Sequence, residues 1–239
     1  MRPIIIGPSE WVIKCARQSI IGKGLNALPI SNLFDDAYSY DEQLREEHEI
    51  FRLLFGAYGG RKNPSKGFAD LEKVLAYVPQ SMRQNMELWI FGESAPDQVI
   101  CGIRTRFKGN VAKSADLKRL YHQADVFFFP SVQETQGMTK IEAMLCGLPV
   151  LAFNRTACAE GIVNGISGYY VEDGDMAGLA SKLSELYLNF SRSTHSERIE
   201  FHGKIALKAK SLYDNSKILD DIVDVYKAAN NDAEPTNDI

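Results

Sequence analysis

The chain has 239 residues, 45% of them hydrophobic, and a net charge of −4. That length holds one large domain, or one domain with a fragment of another, and the mildly acidic balance excludes a broad nucleic-acid-binding surface while leaving room for a local basic pocket. Cys15, Cys101, Cys146 and Cys158 lack CxxC and metal-ligand spacing and read as reduced packing thiols; no apolar run approaches the roughly 18 residues of a membrane helix, and MRPIII is no signal peptide. The expected setting is therefore cytoplasmic, either soluble or peripheral at the inner face of a membrane.

Ile4 to Ile6 reads as a short strand. Ser9 is placed to cap a helix over residues 10–19, with Trp11, Val12, Cys15 and Ala16 along its apolar side. A second strand is expected near 27–30, and the charged residues 35–48 read as a linker. From Phe51 a regular alternation begins: strand 51–55, helix 68–77, strands 88–91 and 103–107, helix 116–123, strand 126–129. A helix starting near Met138, strand 150–153, a short helix near 157–163 and strand 168–171 continue it. Strands alternating with helices imply an α/β fold with a doubly wound parallel sheet. Three further helical stretches follow, at 176–188, 196–211 and 216–229, and residues 231–239 read as a disordered tail.

The chemistry gathers in ADVFFFPSVQETQGMTKIEAMLCG, residues 124–147. An apolar run stops at Pro130, a polar loop carries Glu134 to Gly137, and a helical pattern with Met138, Ile141, Met144 and Leu145 on one face ends at Gly147. The loop falls where ligands bind in open α/β sheets. Gly137 allows close backbone approach, and the first helical N–H groups, at Met138 and Thr139, make an anion site. Glu134 and Glu142 frame it. Carboxylates beside an anion repel it unless they are aimed at hydroxyl donors, so the pattern fits a nucleotide sugar: diphosphate on the helix, hydroxyls on the glutamates. A solvated loop Glu and a surface helix Glu fit the spacing as well. In AYGGRKNPSKGF, Ser65 can cap the following helix and Lys66 lies at its N-terminus, where the dipole disfavours a cation unless phosphate or water offsets it. Ser65-Lys66-Gly67 is not a P-loop, so an NTPase is excluded. His48, His122, His195 and His202 read as surface residues.

The stretch PSVQETQGMTKIEAMLCGLPV resembles the Glu-x7-Glu region of family 4-type retaining glycosyltransferases of the GT-B fold. It keeps Pro130, Ser131, Glu134, Gly137, Met138, Glu142, Ala143, Met144, Gly147, Pro149 and Val150, and departs at Thr135 and Gln136. The resemblance implies a Rossmann-like GT-B C-terminal domain over residues 36–230 with extra C-terminal helices, and a remnant of the N-terminal acceptor domain at 1–35. It implies Glu134 and Lys66 as catalytic residues, Lys66 with Arg61 on the donor diphosphate, and Glu142 on the ribose. Gly109 and Val111 would meet the nucleobase edge, and Glu160 would lie close to the donor site. The implied substrates are an NDP-sugar of UDP or GDP type and a saccharide or lipid-linked saccharide acceptor, with no cofactor and no metal. The implied setting is surface polysaccharide assembly. The implied partner is the missing N-terminal domain, or a second copy of the chain. A non-catalytic subunit of a split enzyme and a GT-B nucleotide-sugar 2-epimerase relative are the alternatives.

Overall fold

The computed structural model describes residues 4–56 and 59–231. Two compact units divide the chain: residues 35–212, and residues 1–34 with 213–239. Of the tail expected at 231–239, all but Asn231 lies outside the described residues.

The smaller unit begins with β1 (Ile4–Gly7), α1 (Glu10–Gln18) and β2 (Asn26–Pro29), with β1 and β2 parallel. Ser9 does cap α1, its hydroxyl accepting from the Val12 N–H at 3.2 Å. The buried residue of α1 is Ile13, while Cys15 is exposed, so the inward side is turned from the expected stripe. The last helix, α8 (Asn215–Asn231), belongs to this unit as well. The Asn215 side chain both donates to the Phe34 carbonyl, at 2.8 Å, and accepts from the Phe34 N–H, at 3.0 Å. The compact unit that holds the sheet runs over residues 35–212.

In the larger unit the strands are β3 (Phe51–Gly56), β4 (Met86–Phe91), β5 (Gln98–Ile100), β6 (Ile103–Gly109), β7 (Val126–Phe129), β8 (Val150–Asn154) and β9 (Gly168–Glu172). Their spatial order is β5-β6-β4-β3-β7-β8-β9, and every neighbouring pair is parallel except β5 with β6. Leaving out the short edge strand β5, the chain winds outward from β3 one way and from β7 the other, which is doubly wound topology with its switch point between β3 and β7. Helices α2 (Phe68–Tyr77), α3 (Gln80–Arg83), α4 (Ser114–Gln123), α5 (Met138–Leu145), α6 (Met176–Arg192) and α7 (His195–Leu212) complete the unit. Strands β4 and β7 are buried at every position, as expected of parallel strands covered on both faces. Phe128 joins Leu53, Phe55, Leu71, Leu75 and Leu183 in one core cluster. Phe127 points to the other face, where its ring lies 6.3 Å from Phe91 and 5.9 Å from Tyr121.

Three expectations need correction. Residues 35–48 are no loose linker: Arg45 is buried and donates to the Ala124 carbonyl at 3.1 Å, and the Tyr40 ring stacks on His122. His122 and His202 are buried rather than superficial, because backbone groups satisfy their rings. His122 Nδ1 bonds the Lys118 carbonyl, its Nε2 accepts from the Asp41 N–H at 2.9 Å, and His202 Nδ1 bonds the Gly147 carbonyl. Finally, residues 157–163 form turns, not a helix. Thr156 has φ 47° and Gly161 φ 79°, and the carbonyls a helix would use are taken by a lysine side chain from α5.

Candidate active site at the carboxyl edge of the sheet

Parallel strands bring all their carboxyl ends to one edge. The segment after β3 supplies Arg61 and Lys66, that after β4 supplies Glu93, and the end of β6 supplies Gly109 with Val111 just beyond. The segment after β7 supplies Glu134 and Gly137, and that after β8 supplies Thr156 to Glu160. The sequence-predicted residues thus converge because of topology alone.

Lys66 and Glu134 meet. The Lys66 ammonium donates to Glu134 Oε1 at 2.6 Å, with both side chains largely covered. Two features hold them there. The Val132 N–H donates to the Ser65 carbonyl at 2.8 Å, stitching the two loops together. Gly67 has φ 71°, and a Cβ built on it would lie 1.9 Å from the Pro130 carbonyl oxygen, so only glycine lets the loops approach so closely. Ser65 does not cap α2 as expected. Asn63 Oδ1 captures both its N–H and its hydroxyl, and Gly67 takes the N-cap position.

Gly137 is the N-cap of α5, at φ 79°, with no side chain capping the helix. A Cβ there would sit 2.8 Å from the Phe129 ring, so the helix start is packed directly on the end of β7. Met138 and Thr139 form its first turn, where backbone N–H groups and the helix dipole favour an anion. Glu142 lies one turn further in and does not pair with Lys66. It accepts from the Tyr121 hydroxyl at 3.1 Å, and burial raises its carboxyl above the usual range.

Arg61 is engaged elsewhere. Its backbone N–H and Nε both donate to Glu93 Oε2 at 3.1 Å, and a terminal nitrogen reaches Oε1 at 3.0 Å, which holds Glu93 below the usual carboxylate range. Its guanidinium also lies 4.7 Å from the centre of the Phe107 ring. Gly109, at φ 69°, is bonded to the turn carrying Glu93, since its carbonyl accepts from Gly92 at 2.8 Å. Val111 lies half-buried just after it. Glu160 contributes its backbone carbonyl to a fully buried ammonium, that of Lys140, at 2.6 Å.

Lys140, Glu93, Tyr121 and Thr156 were not among the expected residues. Glu93 had a usable signal, being a carboxylate two residues past the end of a strand at the ligand edge. Among the described residues no group of three His, Cys, Asp or Glu side chains is placed to hold a metal ion. None of the described helices is long and apolar enough to cross a membrane.

The chain as a whole has relatives among known proteins. The sulfoquinovosyl transferase SQD2 of Arabidopsis thaliana is 27% identical over 199 residues, covering 79% of this chain and 38% of that protein. The lipopolysaccharide glucosyltransferase WaaG of Escherichia coli K12 is 29% identical over 129 residues, covering 47% of this chain and 33% of that protein. The crystal structure of Anabaena HepE in complex with UDP superposes with a TM-score of 0.72 at 19% identity, over 94% of this chain and 64% of HepE. The chain therefore spans less than two thirds of the length of each, and the structural likeness shows the fold, that of the GT-B glycosyltransferases. Residues 53–189, more than half of the chain, match the family described as glycosyl transferases group 1, and the chain belongs to that family.

Proposed function

We propose that this chain is the donor-binding half of a retaining, family 4-type glycosyltransferase. It would hold a UDP- or GDP-sugar while an acceptor hydroxyl attacks on the face the diphosphate leaves. The observation that carries this reading is the Lys66–Glu134 pair, 2.6 Å apart, with Glu134 in the loop that leads into the Gly137 N-cap of α5. Paired in this way, each neutralises the other. A diphosphate seated on the first turn of α5 competes with Glu134 for the Lys66 ammonium, and Glu134 is then released to accept from donor-sugar hydroxyls. Lys66 and the N–H groups of the α5 first turn stabilise the charge that gathers on the leaving diphosphate. A preorganised donor of this kind is typically worth about 3 kcal/mol of barrier. Glu142, with the Tyr121 hydroxyl fixing its orientation, accepts from the ribose. Gly109 and Val111 would line the nucleobase end and Arg61 would lie between, its charge shared with Glu93.

The relatives support the setting only through what they are: WaaG is a lipopolysaccharide glucosyltransferase and HepE binds UDP. For this chain we propose surface polysaccharide assembly in the cytoplasm, with a saccharide or lipid-linked saccharide acceptor delivered by an N-terminal acceptor domain. Calorimetry with UDP and GDP, beside a donor-turnover assay, tests the reading. Binding of one nucleoside diphosphate with little sugar transfer is expected. Rapid transfer by this chain alone overturns the half-enzyme reading, and failure to bind either nucleotide overturns the donor site.

A further inference from the structure

We infer that Lys140 is a positioning residue of the donor site: its ammonium clips the loop after β8 onto the first turn of α5 and thereby fixes Glu134. The inference rests on the function proposed above. Lys140 is 0% exposed. Its three N–H bonds go to three backbone carbonyls of one loop, Ala157 at 2.9 Å, Cys158 at 3.1 Å and Glu160 at 2.6 Å. No carboxylate forms an ion pair with it among the described residues. A buried ammonium without a paired counter-ion is costly, and here three carbonyl dipoles offset the cost, helped at longer range by the Glu160 and Glu134 carboxylates. A methionine would fill the same volume without a charge, so packing does not account for a lysine.

The clipped loop reaches Glu134 directly. The Thr156 hydroxyl accepts from the Glu134 N–H at 3.1 Å, the Ala157 N–H donates to the Glu134 carbonyl at 3.4 Å, and the Cys158 thiol donates to the Ser131 carbonyl at 3.2 Å. Both backbone groups of Glu134 are thus held by the loop that Lys140 holds. The same charge lies under the start of α5, where it adds to the positive end of the helix dipole. Burial lowers the ammonium's pKa to about 8, opposed by Cys158 and Glu160 of the loop and by Glu134. Facing it from β7 is only the Phe129 ring, 6.0 Å away. Once a proton is lost, two N–H bonds remain for three carbonyls, and one carbonyl is left facing a lone pair.

Amide hydrogen exchange and nucleotide titration on the full chain test this with Lys140→Met and Lys140→Arg. In Lys140→Met, amides of 155–161 should exchange about tenfold faster while those of β3 and β4 keep their protection, and affinity for UDP-glucose, whose sugar hydroxyls Glu134 would accept from, should fall about tenfold, the scale of one misplaced hydrogen bond. Between about pH 7 and about pH 9.5, wild-type affinity should weaken several-fold as Lys140 loses its proton, whereas Lys140→Arg, which stays charged, should be flat. If Lys140→Met does not fold, the Lys140→Arg profile and wild-type loop exchange across the same pH range decide. Unchanged loop exchange in Lys140→Met overturns the clip. Faster loop exchange with UDP-glucose affinity intact overturns the positioning role and leaves the function proposal standing. A wild type that binds neither UDP nor GDP overturns that proposal and the positioning role with it, while the loop exchange still reports on the clip.

Discussion

The two units are built from the same pieces, parallel strands and helices, and yet they bury themselves very differently. In the sheet unit β3, β4, β7 and β8 each have two covered faces, and phenylalanine fills both sides of β7. In the smaller unit two strands stand alone as a sheet, Ile6 and Leu28 are partly open, and Ile20 and Ile21 are 96% and 87% exposed. Along α8, Leu219, Val223 and Tyr226 recur at helical spacing and remain exposed. A two-stranded sheet is below the size that sustains itself in water. Similar apolar residues therefore have opposite fates according to how many neighbours the topology supplies, and stability should follow that division.

The largest effect tests it directly. Phe128→Ala removes a ring from the centre of the sheet-unit core and should cost about 3–5 kcal/mol in urea unfolding. A loss below about 1 kcal/mol would mean that the core is not the stabilising region.

Acidification should act on the same unit. Burial holds His122 down at about 4 and His202 well below its ordinary value of 6.5. In the unfolded chain both protonate near 6.5, so below that pH the unfolded state binds more protons. Their contribution is thus fully present above 6.5 and is lost as pH falls from there toward 4. Each ring can cost up to about 1.4 kcal/mol per pH unit in that window, so each should remove roughly 2 kcal/mol, and the two together roughly 4 kcal/mol, between pH 7 and pH 5. Urea midpoints at the two pH values that coincide would show the rings to be accessible to protons in the folded state.

How these features could be read from sequence follows from where their partners lie. The β7 strand, its loop and α5 were legible because the signals are local: an apolar run, Pro130, Gly137 and helical spacing. That Lys66 and Glu134 lie at one site was expected only through the resemblance, and their direct pairing was not expected at all, since 68 residues separate them. Lys140 was not legible, because its acceptors are main-chain carbonyls 17, 18 and 20 residues on, and carbonyls carry no sequence signature. The same acceptors explain why the expected helix at 157–163 does not form. His122 and His202 were misread as surface residues for a related reason, being satisfied by backbone groups. Arg61 was placed at the correct edge, but its guanidinium answers to Glu93, which the sequence reading passed over.

A smaller effect separates the two glutamates within the sheet unit. Glu142→Gln keeps size and helix, so stability should move by less than about 0.5 kcal/mol, while UDP or GDP binding weakens by about 1–2 kcal/mol. Glu134→Gln should not weaken the bare diphosphate, since it removes the carboxylate that competes for Lys66, and should lower affinity only for the NDP-sugar. Titrating both variants with nucleotide and nucleotide sugar reads this out. Wild-type affinities throughout would make both carboxylates structural.

The smallest expected change in stability lies in the other unit, where the comparison began. Ile20 and Ile21 follow α1 in a turn flanked by Ser19 and Gly22, and neither contributes to a core. Replacing both with serine removes no buried area, so the unfolding free energy should shift by less than about 0.5 kcal/mol. Association is another matter. Two adjacent, nearly fully exposed isoleucines, together with the open stripe of α8, are the kind of apolar surface that marks a contact with another chain or domain. We expect the wild-type chain to associate, with itself or with a separately supplied N-terminal domain, and the double serine variant to associate less. Light scattering over a concentration series measures the first part and the variant supplies the control. If the wild type stays monomeric at high concentration and fails to capture an N-terminal domain, the exposed isoleucines are simply solvated. The contrast between the units would then reflect the size of each sheet and nothing beyond it.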